Sequence, residues 1–138
     1  PLNGLVFELL DTGVDIHFLR DATRGGLAGV LADISERTGL GVEIYDCRIP
    51  RNPAVRAAAE MLGFDLLSVA NEGKIVVVAA QEDGERCLSV MRGHRHGIHS
   101  ACIGTLTASD VALVELITEG GGRRIVQRPY GEELPRIC

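Results

Sequence analysis

Glycines divide this chain into short apolar segments of two kinds. Segments with apolar residues at helical spacing end at or next to Gly13, Gly39, Gly63 and Gly93, where helices commonly stop. Strand-like segments lie between them, and the longest apolar run covers only residues 75–80. Helices alternate with strands early in the chain, and a meander of strands closes it. This order predicts an α+β fold, with a mixed, largely antiparallel sheet and helices packed on one of its faces.

The boundaries of the predicted elements follow from the same periodicities. Helices are predicted over residues 2–10, 27–38, 53–62 and 82–92. Strands are predicted over residues 15–19, 41–45, 65–70, 74–80, 98–106, 111–118 and 123–127.

Length and charge restrict the function classes open to the chain. Its 138 residues are enough for one domain with a substantial core. A formal net charge of −5, without a basic stripe interleaved with aromatic residues, argues against a nucleic-acid partner. No apolar run approaches the ~20 residues of a membrane span, so we expect no membrane association. Residues 1–5 begin without Met or signal-peptide character, and we interpret the chain as a piece of a longer protein.

The four cysteines, Cys47, Cys87, Cys102 and Cys138, are scattered and form no CxxC pair. Because a disulfide framework would need a secretory context, this spacing favours reduced thiols in a cytoplasmic protein. Cys87 and Cys102 lie within apolar patterns, so both are predicted to belong to the core.

The chain ends on a cysteine, which puts a thiol at the tip of a tether. The preceding residues 130–134 are polar and contain glycine, so we expect this segment to be ordered only when something binds it. We therefore divide the chain into a domain over residues 1–130 and a flexible tail over residues 131–138. One interpretation of the tail is a carrier arm that brings Cys138 into an active site. The alternative is an unstructured terminus that happens to end in cysteine.

The sequence RDATRGGL opens the second predicted helix. Asp21 or Thr23 is predicted to cap that helix. Gly25 and Gly26 in its first turn cost roughly 1 kcal/mol each relative to alanine, which indicates a close approach by a strand or a ligand. With Arg24 beside the free amides, an anion would be well placed at this helix start. A capped, tightly packed helix explains the same residues without any ligand.

A turn, Asn71-Glu72-Gly73-Lys74, joins two predicted strands. The carboxylate of Glu72 could act as a general base if a cleft covered it. The simpler explanation is an ordinary polar surface turn.

His94, His96 and His99 form an HxHxxH cluster in a loop rich in glycine. Imidazoles at this spacing could bind a transition metal, but the positive charges of Arg92 and Arg95 disfavour a cation. We therefore predict a solvated loop, no metal site and no assigned role for the cluster. The chain also lacks a phosphate-binding loop, so most of any ATP site must lie outside it.

Four motifs occur together in one order: RDATRGGL, then VANEGK at residues 69–74, then Ile103-Gly104, then the terminal Pro135-Arg136-Ile137-Cys138. With them the chain resembles the C-terminal domain of the HypE family of hydrogenase maturation proteins, the carbamoyl dehydratases. That family belongs to the aminoimidazole-ribonucleotide synthetase-like superfamily of ATP-binding proteins. The likeness covers essentially the whole chain. The first motif is shared across the superfamily, whereas the Pro-Arg-Ile-Cys terminus is specific to this branch.

The resemblance implies a defined reaction on the thiol of Cys138. A carbamoyltransferase, HypF, loads a carboxamide onto the sulfur, and ATP phosphorylates the amide oxygen. Loss of phosphate and a proton then leaves a thiocyanate. The cyano group passes to iron held by the HypC–HypD complex and becomes a cyanide ligand of the [NiFe]-hydrogenase cofactor.

The resemblance also implies roles for individual residues and for parts outside the chain. Glu72 becomes the candidate base, and Arg136, between Pro135 and Ile137, guides the tail. A cleft facing a separate N-terminal domain is lined by Asp21, Thr23 and Arg24 with Gly25 and Gly26. That N-terminal domain binds most of the ATP and Mg and forms the homodimer, so the isolated fragment is expected to be inactive.

Two other functions are also compatible with the sequence. Another member of the superfamily, such as selenophosphate synthetase, thiamine-phosphate kinase or the purine-pathway synthetase, shares the helix-start motif but needs no cysteine tail. A partner-docking or metal-binding module would instead use His94, His96 and His99.

Overall fold

The computed structural model describes residues 1–129, so the tail motif Pro135-Arg136-Ile137-Cys138 lies outside the described residues. Four helices occur in this part of the chain. They are α1 (Asn3–Asp11), α2 (Gly26–Thr38), α3 (Pro53–Leu62) and α4 (Gly84–Gly93). None of the four is long and apolar enough to cross a membrane.

The strands form two sheets. They are β1 (Ile16–Asp21), β2 (Gly41–Tyr45), β3 (Ile75–Ala79), β4 (Gly104–Thr107), β5 (Val114–Ile117) and β6 (Arg123–Ile125). β1 pairs with β3 in an antiparallel ribbon. The other sheet has the order β4-β2-β5-β6, with β2 and β5 parallel and the outer pairs antiparallel. The predicted α+β class with mixed, largely antiparallel pairing is therefore confirmed.

The larger core lies between α2 and the four-stranded sheet. Alternate residues of β2 and β5 point to this side, and the apolar stripe of α2 covers them. Its buried members include Val30, Ile34, Val42, Ile44 and Leu116. Each large aliphatic side chain buried in this way stabilises the fold by about 1.5–3 kcal/mol. α2 is thus held firmly enough to position whatever lies at its ends.

A smaller core lies on the other side of the β1–β3 ribbon. Leu9 of α1 and Cys87 of α4 are buried there, and Leu19 and Val77 of the ribbon pack against them. Val78, which points to the opposite face, packs against the larger core instead. The ribbon is therefore covered on both faces.

The largest differences from the predicted strands lie at residues 65–70 and 98–106. Residues 65–70 form a turn, because the carboxylate of Asp65 accepts a hydrogen bond from the Leu67 amide at 3.0 Å and its carbonyl accepts one from Ser68. Such local polar bonds compete with strand pairing. The strand predicted over residues 98–106 is confined to β4, because residues 95–99 are a series of turns. The Asn71–Lys74 turn is consequently not a hairpin link between two strands.

The predicted burial of the cysteines is confirmed for Cys87 and wrong for Cys102. Cys87 lies in the smaller core, whereas Cys102 and Cys47 are exposed, and all three are free thiols. Cys102 precedes β4 in a loop, so the apolar pattern around it does not correspond to a buried strand. Burial, followed by the negative charge of Asp83, raises the pKa of the Cys87 thiol.

We expect iodoacetamide to alkylate the exposed Cys47 and Cys102 at least roughly tenfold faster than Cys87, because Cys87 is buried, its pKa is raised and the thiolate is the nucleophile. Peptide mass mapping over time measures each site separately. In denaturant all three rates should become equal. Alkylation of folded Cys87 as fast as that of Cys102 would contradict the burial described above.

Candidate functional site

The RDATRGGL motif forms the sharp turn that connects β1 to α2. Gly25 is the N-cap of α2 with φ of +66°, and Gly26 follows with φ of +58°. Two consecutive left-handed residues are readily accommodated only by glycine. The prediction that Asp21 or Thr23 caps α2 is wrong, because Gly25 occupies the cap and no side chain bonds there. Thr23 Oγ1 instead donates to Asp21 Oδ1 at 2.9 Å.

Gly26 allows α2 to begin directly against another part of the backbone. A Cβ atom at this position would lie 2.4 Å from the carbonyl oxygen of Val69 and 2.5 Å from that of Leu67. The amide of Ala28 donates to the same Leu67 carbonyl at 2.8 Å. The close approach predicted from the glycine pair is therefore made by residues 67–69. One amide at the helix start is bonded within the protein and is not free for an anion.

The turn that contains Glu72 is bonded to the same motif. The Asn71 amide donates to the Ala22 carbonyl at 3.0 Å, and the Ala22 amide donates to the Lys74 carbonyl at 3.2 Å. The Asn71 side chain also donates to the Val69 carbonyl at 2.7 Å. Glu72 itself is exposed. Two motifs about 50 residues apart in the sequence are thus adjacent in the fold.

The end of the described chain reaches the same place. A Cβ atom on Gly25 would lie 3.5 Å from Cγ of Pro129. Residues 21–26, 69–74 and 128–129 therefore surround one surface region, which we call the motif corner. Of the predicted site residues, Asp21, Arg24 and Glu72 are exposed here and Thr23 is half-buried. Cys138 lies outside the described residues.

Four charged side chains connect residue 128 and β1 to α2. Arg128 donates to both carboxylate oxygens of Glu36, at 3.2 and 2.7 Å, and to Asp33. Arg20 donates to the other oxygen of Asp33. The hydrogen bond from Arg128 lowers the pKa of the Glu36 carboxyl below its usual range. None of these four contacts is predicted from the sequence, although Asp33 and Glu36 stand three residues apart and so share one face of a helix.

The histidine cluster does not assemble into a metal site. The rings of His94 and His96 lie 5.3 Å apart, and the His96 amide donates to Nδ1 of His94 at 3.1 Å. No group of three potential metal ligands occurs within residues 1–129. Partial desolvation, the charge of Arg95 and the neighbouring His94 lower the pKa of His96.

The fold and the glycine turn define a class of protein. Residues 5–116 match the family described as AIR synthase related protein, C-terminal domain, and the chain belongs to this family. The match includes the RDATRGGL motif, the Asn71–Lys74 turn and both sheets up to β5.

Within that class, the chain is similar to carbamoyl dehydratase HypE. It is 44% identical to HypE of Azotobacter vinelandii over 99% of this chain, which spans 40% of that relative. A solved HypE–HypF complex superposes with a TM-score of 0.88 at 43% identity, covering 94% of this chain and 42% of the matched one. A structure of HypE in complex with ATP superposes with a TM-score of 0.90 at 36% identity, covering 99% and 42%. The likeness to HypE expected from the motifs is confirmed.

Replacing Gly26 by alanine should lower the free energy of unfolding far more than replacing Gly63, a glycine with a similar φ and no close neighbour. Gly63 also has a positive φ, of +74°, but a Cβ there would meet nothing within 4 Å. We expect G63A to cost about 1–2 kcal/mol from backbone strain alone. G26A adds a clash with two carbonyl oxygens and should cost roughly 3 kcal/mol or more. Urea unfolding measures both, and equal losses would contradict the proposed close approach.

The Glu36 carboxyl should titrate below the normal glutamate range in an NMR pH titration and move back towards it in R128Q. Because its native pKa is lowered, the stabilisation from this pair is present above the unfolded-state pKa. It is lost as the pH falls through the native value. An unchanged Glu36 titration in R128Q would show that Arg128 does not hold this carboxylate in solution.

Proposed function

We propose that this chain is the part of a carbamoyl dehydratase that carries the acceptor thiol and one wall of the dehydration site. The strongest support is the meeting of the two motifs and of residues 128–129 at the motif corner. From Pro129 the chain continues for nine residues to Cys138, which at ~3.3–3.6 Å per residue reach at most about 30 Å. The thiol can therefore reach the whole motif corner and can also extend beyond the domain surface to partners.

The proposed reaction takes place on the Cys138 sulfur. HypF transfers a carboxamide to it, and the carboxamide oxygen then attacks the γ-phosphorus of the substrate ATP, releasing ADP. Phosphate leaves with that oxygen as the nitrogen loses its protons, and the product is a thiocyanate. Both protons and the carbamoyl oxygen leave, so the step is a dehydration driven by ATP. Phosphorylation is needed because an amide oxygen is otherwise a poor leaving group.

Glu72 is the proposed base for the nitrogen proton. It lies on the turn bonded to Ala22, beside Asp21 and Thr23 of the first motif. A fully solvated carboxylate is a weak base, so the role requires a second surface that covers Glu72 and excludes water. In this proposal Asp21, Thr23, Arg24, Gly25 and Gly26 face that surface.

Most of the ATP site is assigned to protein outside this chain. The described residues contain no phosphate-binding loop, and the Ala28 amide at the start of α2 is already bonded to Leu67. Because no group of three potential ligands occurs in residues 1–129, we assign Mg to the same outside part. The chain spans only 40% of its A. vinelandii relative, which leaves room for such a domain and for the homodimer contact.

Two partners are proposed, one that loads the Cys138 thiol and one that receives the cyano group. HypF loads the thiol, in line with the solved complex of a similar HypE. The HypC–HypD complex, which holds iron, takes the cyano group from Cys138 as a cyanide ligand. We place these steps in the cytoplasm, and we treat residues 131–138 as the flexible tail that visits each partner.

Intact and peptide mass spectrometry tests this function in the full-length protein incubated with HypF and carbamoyl phosphate. We expect a carbamoyl group on the Cys138 peptide without ATP, and the dehydrated mass only when ATP is added. C138A should acquire neither mass. An unmodified Cys138 throughout would reject the carrier-arm function and favour another member of the superfamily.

The same assay tests the base. E72Q should be loaded normally but dehydrated roughly 10²–10⁴-fold more slowly, the usual contribution of a general base. E82Q provides the matched control, because Glu82 is also exposed but follows β3 at its far end, away from the Asn71–Lys74 turn. Normal dehydration by E72Q would remove Glu72 from the mechanism and leave the rest of the proposal standing.

A further inference from the structure

The last described residues are held to α2 by four side chains, which we call the root clamp: Arg20, Asp33, Glu36 and Arg128. Arg128 makes a two-pronged contact with Glu36, at 3.2 and 2.7 Å, and also bonds Asp33. Arg20 holds the second oxygen of Asp33. Two positive and two negative charges therefore form one continuous network.

The network differs from an ordinary surface ion pair. The Asp33 side chain is only 16% exposed and is bonded from both sides. Exposed pairs usually contribute about 0–1 kcal/mol, but two-pronged arginine contacts within a network fix geometry as well as adding energy. Lysine could not reproduce the arrangement, because it presents a point charge and not a planar fork.

The backbone around Arg128 is restrained on both sides. Val126 is buried, and its amide donates to the Val114 carbonyl at 2.8 Å. Pro129 has a fixed φ and restricts the residue before it to extended conformations. Its ring lies against Gly25, as described above. The direction in which the chain leaves the domain is therefore set at Arg128 and Pro129.

We propose that the root clamp is a positioning device for the Cys138 thiol, which fixes the point and direction from which the tail leaves the motif corner. This inference rests on the proposed function, and it assigns the four residues no contact with substrate. Arg20 belongs to the first motif, so the clamp also ties the start of the tail to the surface where dehydration is proposed.

Tether length alone cannot produce a large effect. Without the clamp, the free segment would lengthen from the nine residues after Pro129 to the twelve after Val126. Effective concentration falls as about the −3/2 power of length, so this change lowers it only about 1.5-fold. During dehydration the tail must be bound in the site, so a displaced origin shifts the reacting group, and a misplacement of about 1 Å can slow a reaction by about 10²-fold.

The test measures single-turnover dehydration of pre-carbamoylated full-length protein at saturating ATP. We expect R128Q to slow this step about tenfold, within the range that misplacement allows, and R128K to be intermediate. The apparent affinity for ATP should not change, and the melting temperature should fall only by the stabilisation that this pair contributes, so that the protein stays folded under the assay conditions. R56Q is the matched control, since Arg56 holds a single exposed carboxylate, Glu60, at 3.0 Å on α3. A slowing by R128Q of less than twofold, or an equal slowing by R56Q, would overturn the proposal.

A second measurement does not depend on the chemistry. The exposed Cys47 and Cys102 are changed to serine, and the buried Cys87 is changed to alanine. Spin labels are then attached to Cys138 and to a cysteine introduced at the exposed position Gln81. We expect R128Q, but not R56Q, to shift or broaden the distance distribution between the two labels. Identical distributions would reject the clamp even if carbamoyl loading succeeds. Failure of wild-type loading with a changed distribution would instead reject the proposed function and retain the clamp.

Discussion

The close contact between the start of α2 and the backbone of residues 67–69 is the constraint on which the motif corner depends. A single hydrogen atom in place of a side chain at Gly26 lets the helix begin within reach of the Leu67 and Val69 carbonyls. The contact holds residues 67–69 against α2, and Asn71 then bonds Ala22. Because α2 is fixed by the larger core, the turn that contains Glu72 is held in place through these contacts. Rigid support of this kind is what a site requires when reacting groups must be placed within fractions of an ångström.

The charged groups complete the corner from the other side. Arg128 brings the end of the described chain onto α2, next to the glycine turn. The proposed chemistry needs a sulfur that visits a transferase, a dehydration site and an iron carrier, so its tether must be mobile at the tip. It also needs a defined origin, and the root clamp supplies one. In this proposal, a tether with a fixed origin and a mobile tip lets the sulfur visit all three partners and still reach the dehydration site in a defined position.

Local signals in the sequence were sufficient for much of the fold. The glycine ends of α2 and α3 were predicted because a left-handed residue after a helix favours glycine. The close approach at Gly26 was also predicted, though not which residues make it. The capping prediction failed because Gly25 itself occupies the cap, and residues 65–70 were misassigned because the Asp65 side chain favours a turn. The meeting of Arg128 with Glu36, 92 residues away, leaves no local signal at all.

The most direct measurement is a crystal structure of the full-length protein with carbamoylated Cys138 and a non-hydrolysable ATP analogue. If the motif corner forms a wall of the dehydration site, the carboxamide nitrogen should lie about 2.6–3.2 Å from the Glu72 carboxylate, beside Asp21 and Thr23. A carbamoylated sulfur bound on the α1 and α4 side of the domain, or a Glu72 facing open solvent in that complex, would contradict the proposed site.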